Sequence, residues 1–95
     1  MTDEVITRHV LISGRVQGVG YRAWCRREAE ERGLSGWVRN RQNGDVEAVF
    51  SGPPEAVEAI ILACRKGPGW ARVDDVEIIS DGAPIRGPFE MRATR

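Results

Sequence analysis

Strand-like and helix-like segments alternate along this 95-residue chain in an order that few folds can accommodate. Four segments with alternating or continuous apolar and β-branched residues predict strands: Val5–Ser13, Ser35–Asn40, Asp45–Phe50 and Arg72–Ser80. Two segments with apolar residues at helical spacing predict helices: Tyr21–Arg32, and a second that opens at Ser51–Glu55 and stops at Arg65–Pro68. A short last strand is predicted where apolar residues alternate with charged ones: Phe89, Met91 and Ala93.

The resulting order, β-α-β-β-α-β, is the split β-α-β pattern of ferredoxin-like folds. We therefore expect an α+β sandwich in which one antiparallel sheet carries both helices on one face, followed by the short C-terminal strand. The dipeptide Asn43-Gly44 favours a tight hairpin between the second and third strands. Two-residue and four-residue loops both fit this sequence, and they place different side chains on the core face.

The two predicted helices begin differently. The second has Ser51 as a candidate cap, proline in its first turn and an early acid, Glu55, all of which favour a helix start. The first follows the loop Gly14–Gly20, whose residues 18 to 20 are Gly, Val and Gly, so a side-chain cap is missing. Its first N–H groups are therefore free to bind water or an anion, and the helix dipole favours the anion.

Composition narrows the class of protein. The chain has 14 basic and 14 acidic residues, so its net charge argues against broad binding to nucleic acid. It has no apolar run long enough to span a bilayer and no N-terminal signal pattern, so we expect a cytoplasmic protein with no membrane partner. The length predicts one domain over residues 1–95, and nothing in the pattern demands a partner, so a monomer is expected.

Neither a metal site nor a cofactor is expected. The acids are scattered without the spacing of metal ligands, and no CxxC motif occurs. Cys25 and Cys64 both fall on the predicted core faces of helices. Buried reduced thiols are the favoured interpretation, although one bridge between them stays open.

Chain topology brings distant residues toward the glycine-rich loop. Strands joined by a crossover helix run parallel, so the C-terminal ends of the first two strands lie at one edge of the sheet. Gly14–Gly20 follows the first of these strands and Asn40 ends the second. Arg22 lies in the first turn of the intervening helix. Uncapped amides, a guanidinium and an amide side chain are therefore expected to meet there, an arrangement suited to phosphate.

Two motifs at these residues resemble the acylphosphatase family. The first is Gly14–Arg22, with the sequence GRVQGVGYR. The second is Gly36–Asn40, with the sequence GWVRN, followed at the family's spacing by Gly44, Val46 and Gly52. The pair in one short chain is far more specific than either motif alone.

The resemblance implies hydrolysis of a small-molecule acyl phosphate to a carboxylate and phosphate, without a metal. It assigns Arg22 to binding of the phosphoryl group and Asn40 to orientation of the attacking water. The substrate's own phosphate would accept the water's proton. The loop backbone would cradle the phosphate, which is the substrate-binding role implied for Val16, Gln17, Gly18, Val19, Gly20 and Tyr21.

Other functions are less well supported by the residues. His9 lies within the first strand rather than at its C-terminal end, which favours a structural role over that of a general base. A non-catalytic anion-binding, RNA-binding or regulatory module could share the fold, since fold alone does not decide function. RNA binding would favour exposed aromatics on the middle strands, yet the first strand has none. A domain of a larger maturation enzyme is also conceivable, and a stand-alone enzyme is expected.

Overall fold

A computed structural model describes residues 4–95, and its elements follow the expected order. Five strands and two helices are formed: β1 (Ile6–Arg15), α1 (Tyr21–Glu31), β2 (Ser35–Asn40), β3 (Val46–Gly52), α2 (Pro54–Lys66), β4 (Arg72–Asp81) and β5 (Glu90–Met91). The strands form one sheet in the order β4-β1-β3-β2-β5. β3 lies between β1 and β2 and is antiparallel to both, so β1 and β2 run in the same direction. Their C-terminal ends, Arg15 and Asn40, therefore lie at one edge of the sheet.

The expected ferredoxin-like α+β sandwich is confirmed. β1, β2, β3 and β4 pair antiparallel, and the short terminal strand adds one parallel pairing, β5 with β2. The sheet is therefore mixed rather than wholly antiparallel. One face of the sheet and both helices share a single apolar core, to which the largest fully buried contributors are Tyr21, Phe50, Ile12, Ile60 and Val10.

Contacts between the two helices fix the start of α1. The ring of Tyr21 is fully buried, and its hydroxyl donates to the Cys64 carbonyl at 2.9 Å. Cys25 and Cys64 are buried free thiols, as favoured from the sequence, and no disulfide joins them. A hydrogen bond with Cys64, together with burial, raises the pKa of the Cys25 thiol well above 9.0. The thiol therefore stays protonated at neutral pH.

The hairpin between β2 and β3 has a three-residue loop, a length that neither sequence-based register used. Asn40 pairs with Val46, and the Arg41 N–H donates to the Asp45 carbonyl at 2.8 Å, which leaves residues 42–44 as the loop. Gly44, at φ 101°, takes the conformation that closes such a turn without splaying the strands. This register places Asn40 on the same face as buried Val38, the face that carries the helices.

The prediction that Ser51 caps α2 is wrong. Ser51 lies within β3, where its hydroxyl hydrogen-bonds Thr7 Oγ1 at 2.8 Å and accepts from the Ile85 N–H at 3.0 Å. The residue before the helix is Pro53, and no side chain caps it. Proline in the first turn and Glu55 are the features that start this helix, as expected from the sequence.

Candidate active site

A short loop, Val16–Gly20, joins β1 to α1, and we call it the glycine loop. Val16 is buried and anchors its first residue in the core. Gly18 and Gly20 have φ values of 74° and 78°, in the left-handed region that residues with a Cβ seldom adopt. Apart from the adjacent residues of the chain, no atom of residues 4–95 lies within 4 Å of a Cβ built on either glycine, so backbone conformation rather than crowding requires glycine here.

The start of α1 offers a row of unpaired backbone donors. Gly20 is the N-cap, no side chain among residues 4–95 caps the helix, and the first turn contains no acid. Trp24 is the first residue of the helix whose N–H bonds to the chain, to the Gly20 carbonyl at 3.1 Å. Within residues 4–95, the amides from Gln17 to Ala23 have no protein acceptor. Together with the helix dipole they favour a bound anion.

Arg22 supplies a positive charge beside the glycine loop. Its Nη1 donates to the Arg92 carbonyl at 3.0 Å. No carboxylate in the described part of the chain forms an ion pair with it. A guanidinium has five N–H donors, so most remain available for a ligand. The carbonyl therefore orients the group without neutralising it.

Asn40 faces the glycine loop from the end of β2. It lines a cavity of about 190 Å³ with Gln17, Gly18 and Arg22. Its Oδ1 atom is buried and lacks a hydrogen-bond partner among the described residues. Such an atom normally costs free energy unless a ligand or water satisfies it. The cavity volume is several times the roughly 30 Å³ that one water occupies, so the cavity has room for more than a single water.

The cavity brings together most of the residues singled out in the sequence: Val16, Gln17, Gly18, Gly20, Tyr21, Arg22 and Asn40. Val19 is outside the lining, and its side chain packs against the core. Tyr21 can offer the cavity its backbone N–H, because its ring is buried. Burial also raises the pKa of the Tyr21 phenol, with further contributions from the neighbouring thiols, so the phenol stays neutral.

Three features of the site were missed in the sequence. The Gln17 side chain donates to the carbonyls of Arg41 and Asp45 at 2.7 and 2.8 Å, which ties the glycine loop to the β2–β3 hairpin. Met91 of β5 lines the cavity, and the Arg92 carbonyl holds Arg22. All three depend on pairings between distant segments, for which no local sequence signal exists.

A charged cluster lies on the other face of the sheet. The buried Glu47 carboxylate accepts from Arg39 Nε at 2.7 Å, Arg41 Nη1 at 3.2 Å and His9 Nε2 at 2.5 Å. Burial acts to raise the pKa of Glu47, but the hydrogen bonds from Arg39 and His9 outweigh it, and the pKa falls below its ordinary value of 4.5. His9 is engaged in this cluster and does not line the cavity beside Asn40.

A larger cavity, about 670 Å³, lies at the opposite end of the sheet between residues that include Ser35, Ser51 and Gly87. Its two serine hydroxyls already bond within the protein, Ser35 to the Gly87 carbonyl at 2.6 Å and Ser51 to Thr7 and Ile85. Volume therefore does not identify the functional site. The smaller cavity contains the unpaired amides, the guanidinium and the orphan amide oxygen.

No group of three His, Cys, Asp or Glu side chains in residues 4–95 is placed to hold a metal ion. Over the same range, no helix has both the length and the apolar character needed to cross a membrane.

Comparisons with known proteins agree on one family. A family model described as acylphosphatase matches residues 8–91. The acylphosphatase of Azorhizobium caulinodans is 56% identical over 89 residues, which cover 93% of this chain and 96% of that protein. The crystal structure of acylphosphatase from Bacillus subtilis has a TM-score of 0.84 at 32% identity, over 92% of this chain and 98% of that one. An acylphosphatase structure from Coxiella burnetii has a TM-score of 0.82 at 37% identity and covers 93% of each chain.

Proposed function

Since the chain belongs to the acylphosphatase family and is an acylphosphatase, we propose how its residues divide the hydrolysis of acyl phosphates. Arg22 and the amides of the glycine loop bind the phosphoryl group, and Asn40 orients the attacking water. The observation that carries this proposal is their convergence on one cavity: amides, a guanidinium and a buried amide oxygen that, within residues 4–95, have no protein acceptor, no carboxylate partner and no donor respectively.

Binding of the phosphoryl group follows from charge and geometry. Arg22 can direct two parallel N–H groups at two phosphoryl oxygens, and such bidentate pairs are among the stronger hydrogen bonds in proteins. The remaining oxygen lies toward the amides at the start of α1, where the helix dipole adds to the attraction. Gly18 and Gly20 allow the loop to curve around the oxygens. No side chain need approach the phosphorus itself.

Attack by water completes the reaction. Asn40 Oδ1 accepts one hydrogen of the water, which leaves its oxygen free to attack phosphorus in line with the departing group. The bond from phosphorus to the acyl oxygen breaks as the new bond to water forms. The carboxylate departs with the electron pair, and a phosphoryl oxygen takes the water's proton. A carboxylate is a stable leaving group, so the lining needs no acid, and none of the described residues that line it is Asp, Glu or His.

Metal independence is part of the proposal. In this mechanism Arg22 and the loop amides balance the charge that a divalent cation would otherwise offset. Carboxylates, imidazoles and thiols are the side chains that usually hold such a cation, and the lining residues within 4–95 include none of them.

Hydrolysis of benzoyl phosphate in excess EDTA tests the proposal. We expect wild-type activity to survive chelation and Arg22→Gln to lower kcat/KM on the order of 100-fold or more, because a charge that stabilises the transition state is lost. Arg27→Gln is the matched control, since Arg27 is an exposed residue of the same helix and is absent from the cavity lining.

One result would contradict metal independence, and another would contradict the role of Arg22. Loss of wild-type activity in EDTA, with recovery on adding a divalent cation, would overturn metal independence. A folded Arg22→Gln variant within about tenfold of wild type would remove Arg22 from the mechanism.

A further inference from the structure

We propose that Met91 contacts the acyl group of the substrate and favours acyl phosphates with an aromatic or extended aliphatic acyl group over acetyl phosphate. The inference rests on the proposed function, because it assumes that the phosphoryl group binds beside Arg22. It concerns the part of the substrate that the glycine loop does not hold.

Backbone pairing fixes the position of Met91. β5 runs parallel to β2 with Met91 opposite Val38, so the Met91 side chain lies on the same face as Val38 and Asn40. The carbonyl of the next residue, Arg92, accepts a hydrogen bond from the Arg22 guanidinium at 3.0 Å. Met91 is therefore adjacent in sequence to Arg92, whose carbonyl orients Arg22, the residue proposed to bind phosphate. A large shift of Met91 would break that hydrogen bond.

Exposure distinguishes Met91 from the other large apolar side chains around the cavity. Val16 and Tyr21 are each 1% exposed and are committed to the core, whereas Met91 is 42% exposed. An acyl group attached to a bound phosphoryl group has to extend through the open side of the cavity. Met91 provides apolar surface there, and covering it removes that surface from water.

The chemistry of the thioether selects a class of acyl group. Methionine is unbranched, flexible and polarisable, so it adapts to different shapes and makes favourable contacts with aromatic rings. An acetyl group is too short to cover much of the side chain. A benzoyl or longer aliphatic group reaches it, so discrimination is expected to increase with acyl size and to be modest, since one open contact replaces an enclosed pocket.

The experiment compares kcat/KM for benzoyl phosphate and acetyl phosphate in wild type and in Met91→Ala. We expect the benzoyl-to-acetyl ratio to fall about fivefold in the variant, less than the roughly tenfold or more that one methylene contributes in an enclosed apolar pocket, because this contact is open to solvent. Met91→Leu should return the ratio to within about twofold of wild type, because it restores apolar volume. Inhibition by inorganic phosphate should be unchanged, because phosphate has no acyl group.

Two further variants complete the design. Ile79→Ala is the matched control, since Ile79 has the same exposed fraction of 42% and lies in β4, outside the cavity lining. Met91→Gln keeps the side-chain length but makes it polar, so it tests the same contact if Met91→Ala does not fold. It is expected to lower the ratio as well.

A ratio that falls less than twofold in the folded variants overturns the inference. Equal losses on both substrates also overturn it, because they would show that Met91 acts only through the position of Arg22. Wild-type protein that hydrolyses neither substrate would instead contradict the proposed function, so the two failures are distinguishable.

Discussion

Asn40 combines a firmly held backbone with a side-chain oxygen that has no donor among the described residues. An unpaired buried acceptor costs about 1–3 kcal/mol, and Asn40 Oδ1 is such an acceptor among the described residues. The backbone of the same residue is well satisfied, since its carbonyl accepts from the Arg95 N–H at 2.9 Å. The strand therefore fixes the residue firmly while leaving the side chain free to bind water.

Replacement of Asn40 by alanine should separate activity from stability. We expect kcat to fall on the order of 100-fold, because the water loses its orienting group, while the affinity for inorganic phosphate changes little. Thermal stability should be equal to or higher than that of wild type, since a buried unpaired oxygen is removed. Steady-state kinetics, phosphate inhibition and thermal melts measure the three quantities.

Gln42→Ala is the control for this experiment, because Gln42 is an exposed residue of the adjacent hairpin loop. A folded Asn40→Ala variant that retains kcat within about threefold of wild type would contradict the role given to Asn40.

At single residues, sequence reasoning found the groups whose signal is local. Gly18, Gly20 and Arg22 were identified from a local motif. Asn40 was placed beside them because a right-handed crossover leaves the first two strands parallel. The second role of Gln17 is different, because its acceptors are carbonyls 24 and 28 residues away. Met91 enters the cavity through a parallel pairing of β5 that no turn or periodicity specifies.

Among the elements, β3 links its neighbours through Glu47. This carboxylate receives His9 from β1, Arg39 from β2 and Arg41 from the following hairpin. Arg41 in turn presents the carbonyl that holds Gln17 of the glycine loop. The open face of the sheet therefore helps to fix the loop that lies at its edge.

Protonation of Glu47 should weaken the fold in acid. Because the folded-state pKa is depressed, the stabilisation is fully present above the unfolded pKa near 4.5 and is lost as pH falls through the folded value. We expect Glu47→Gln to cost about 2 kcal/mol near neutral pH, the scale of hydrogen bonds to charged groups. The difference from wild type should shrink as the pH is lowered from about 7 to about 2.

Urea denaturation over that range measures the effect. Glu77→Gln is the matched control, since Glu77 is an exposed carboxylate of the edge strand β4. A destabilisation that is the same at every pH would show that shape rather than charge makes Glu47 important.

Element order was predictable, whereas two junctions were not. Alternation and helical spacing located the helices and strands because each pattern reports burial along one segment. The hairpin length is set by the backbone hydrogen bond from Arg41 to Asp45. The sequence pattern does not specify that bond, and it favoured loops of two or four residues rather than three. Ser51 looked like a helix cap in sequence, but its strand extends to Gly52 and directs the hydroxyl to Thr7.

At the scale of the whole molecule, the end of the chain closes the site. The Arg92 N–H donates to the Val38 carbonyl at 2.8 Å, and the Arg95 N–H donates to the Asn40 carbonyl at 2.9 Å. The segment 92–95 therefore runs along β2 beside Asn40 while its first carbonyl holds Arg22. The cavity is therefore lined by the β1–α1 junction, by the end of β2 and by Met91, which are far apart in the sequence.

Shortening this segment should affect catalysis in steps. Deletion of residues 92–95 removes the acceptor for Arg22, and we expect kcat/KM to fall about tenfold through misplacement of the guanidinium. Deletion of residues 94–95 keeps the Arg92 carbonyl as a neutral peptide group that still accepts from Arg22, so it should retain more activity. Kinetics on both variants, with phosphate inhibition, measures this difference; equal losses would assign the effect to the sheet edge alone.

Backbone donors at the glycine loop have a consequence for how this enzyme varies. Because every residue except proline carries the same N–H, exchanging the Val19 side chain for another apolar one leaves the row of donors intact. A mutational survey read by side chain would therefore underestimate the loop and detect it mainly at its two glycines and at Gln17, whose side chain holds the hairpin. The anion-binding part of the site depends on the conformation of the main chain, which many different loop sequences could adopt.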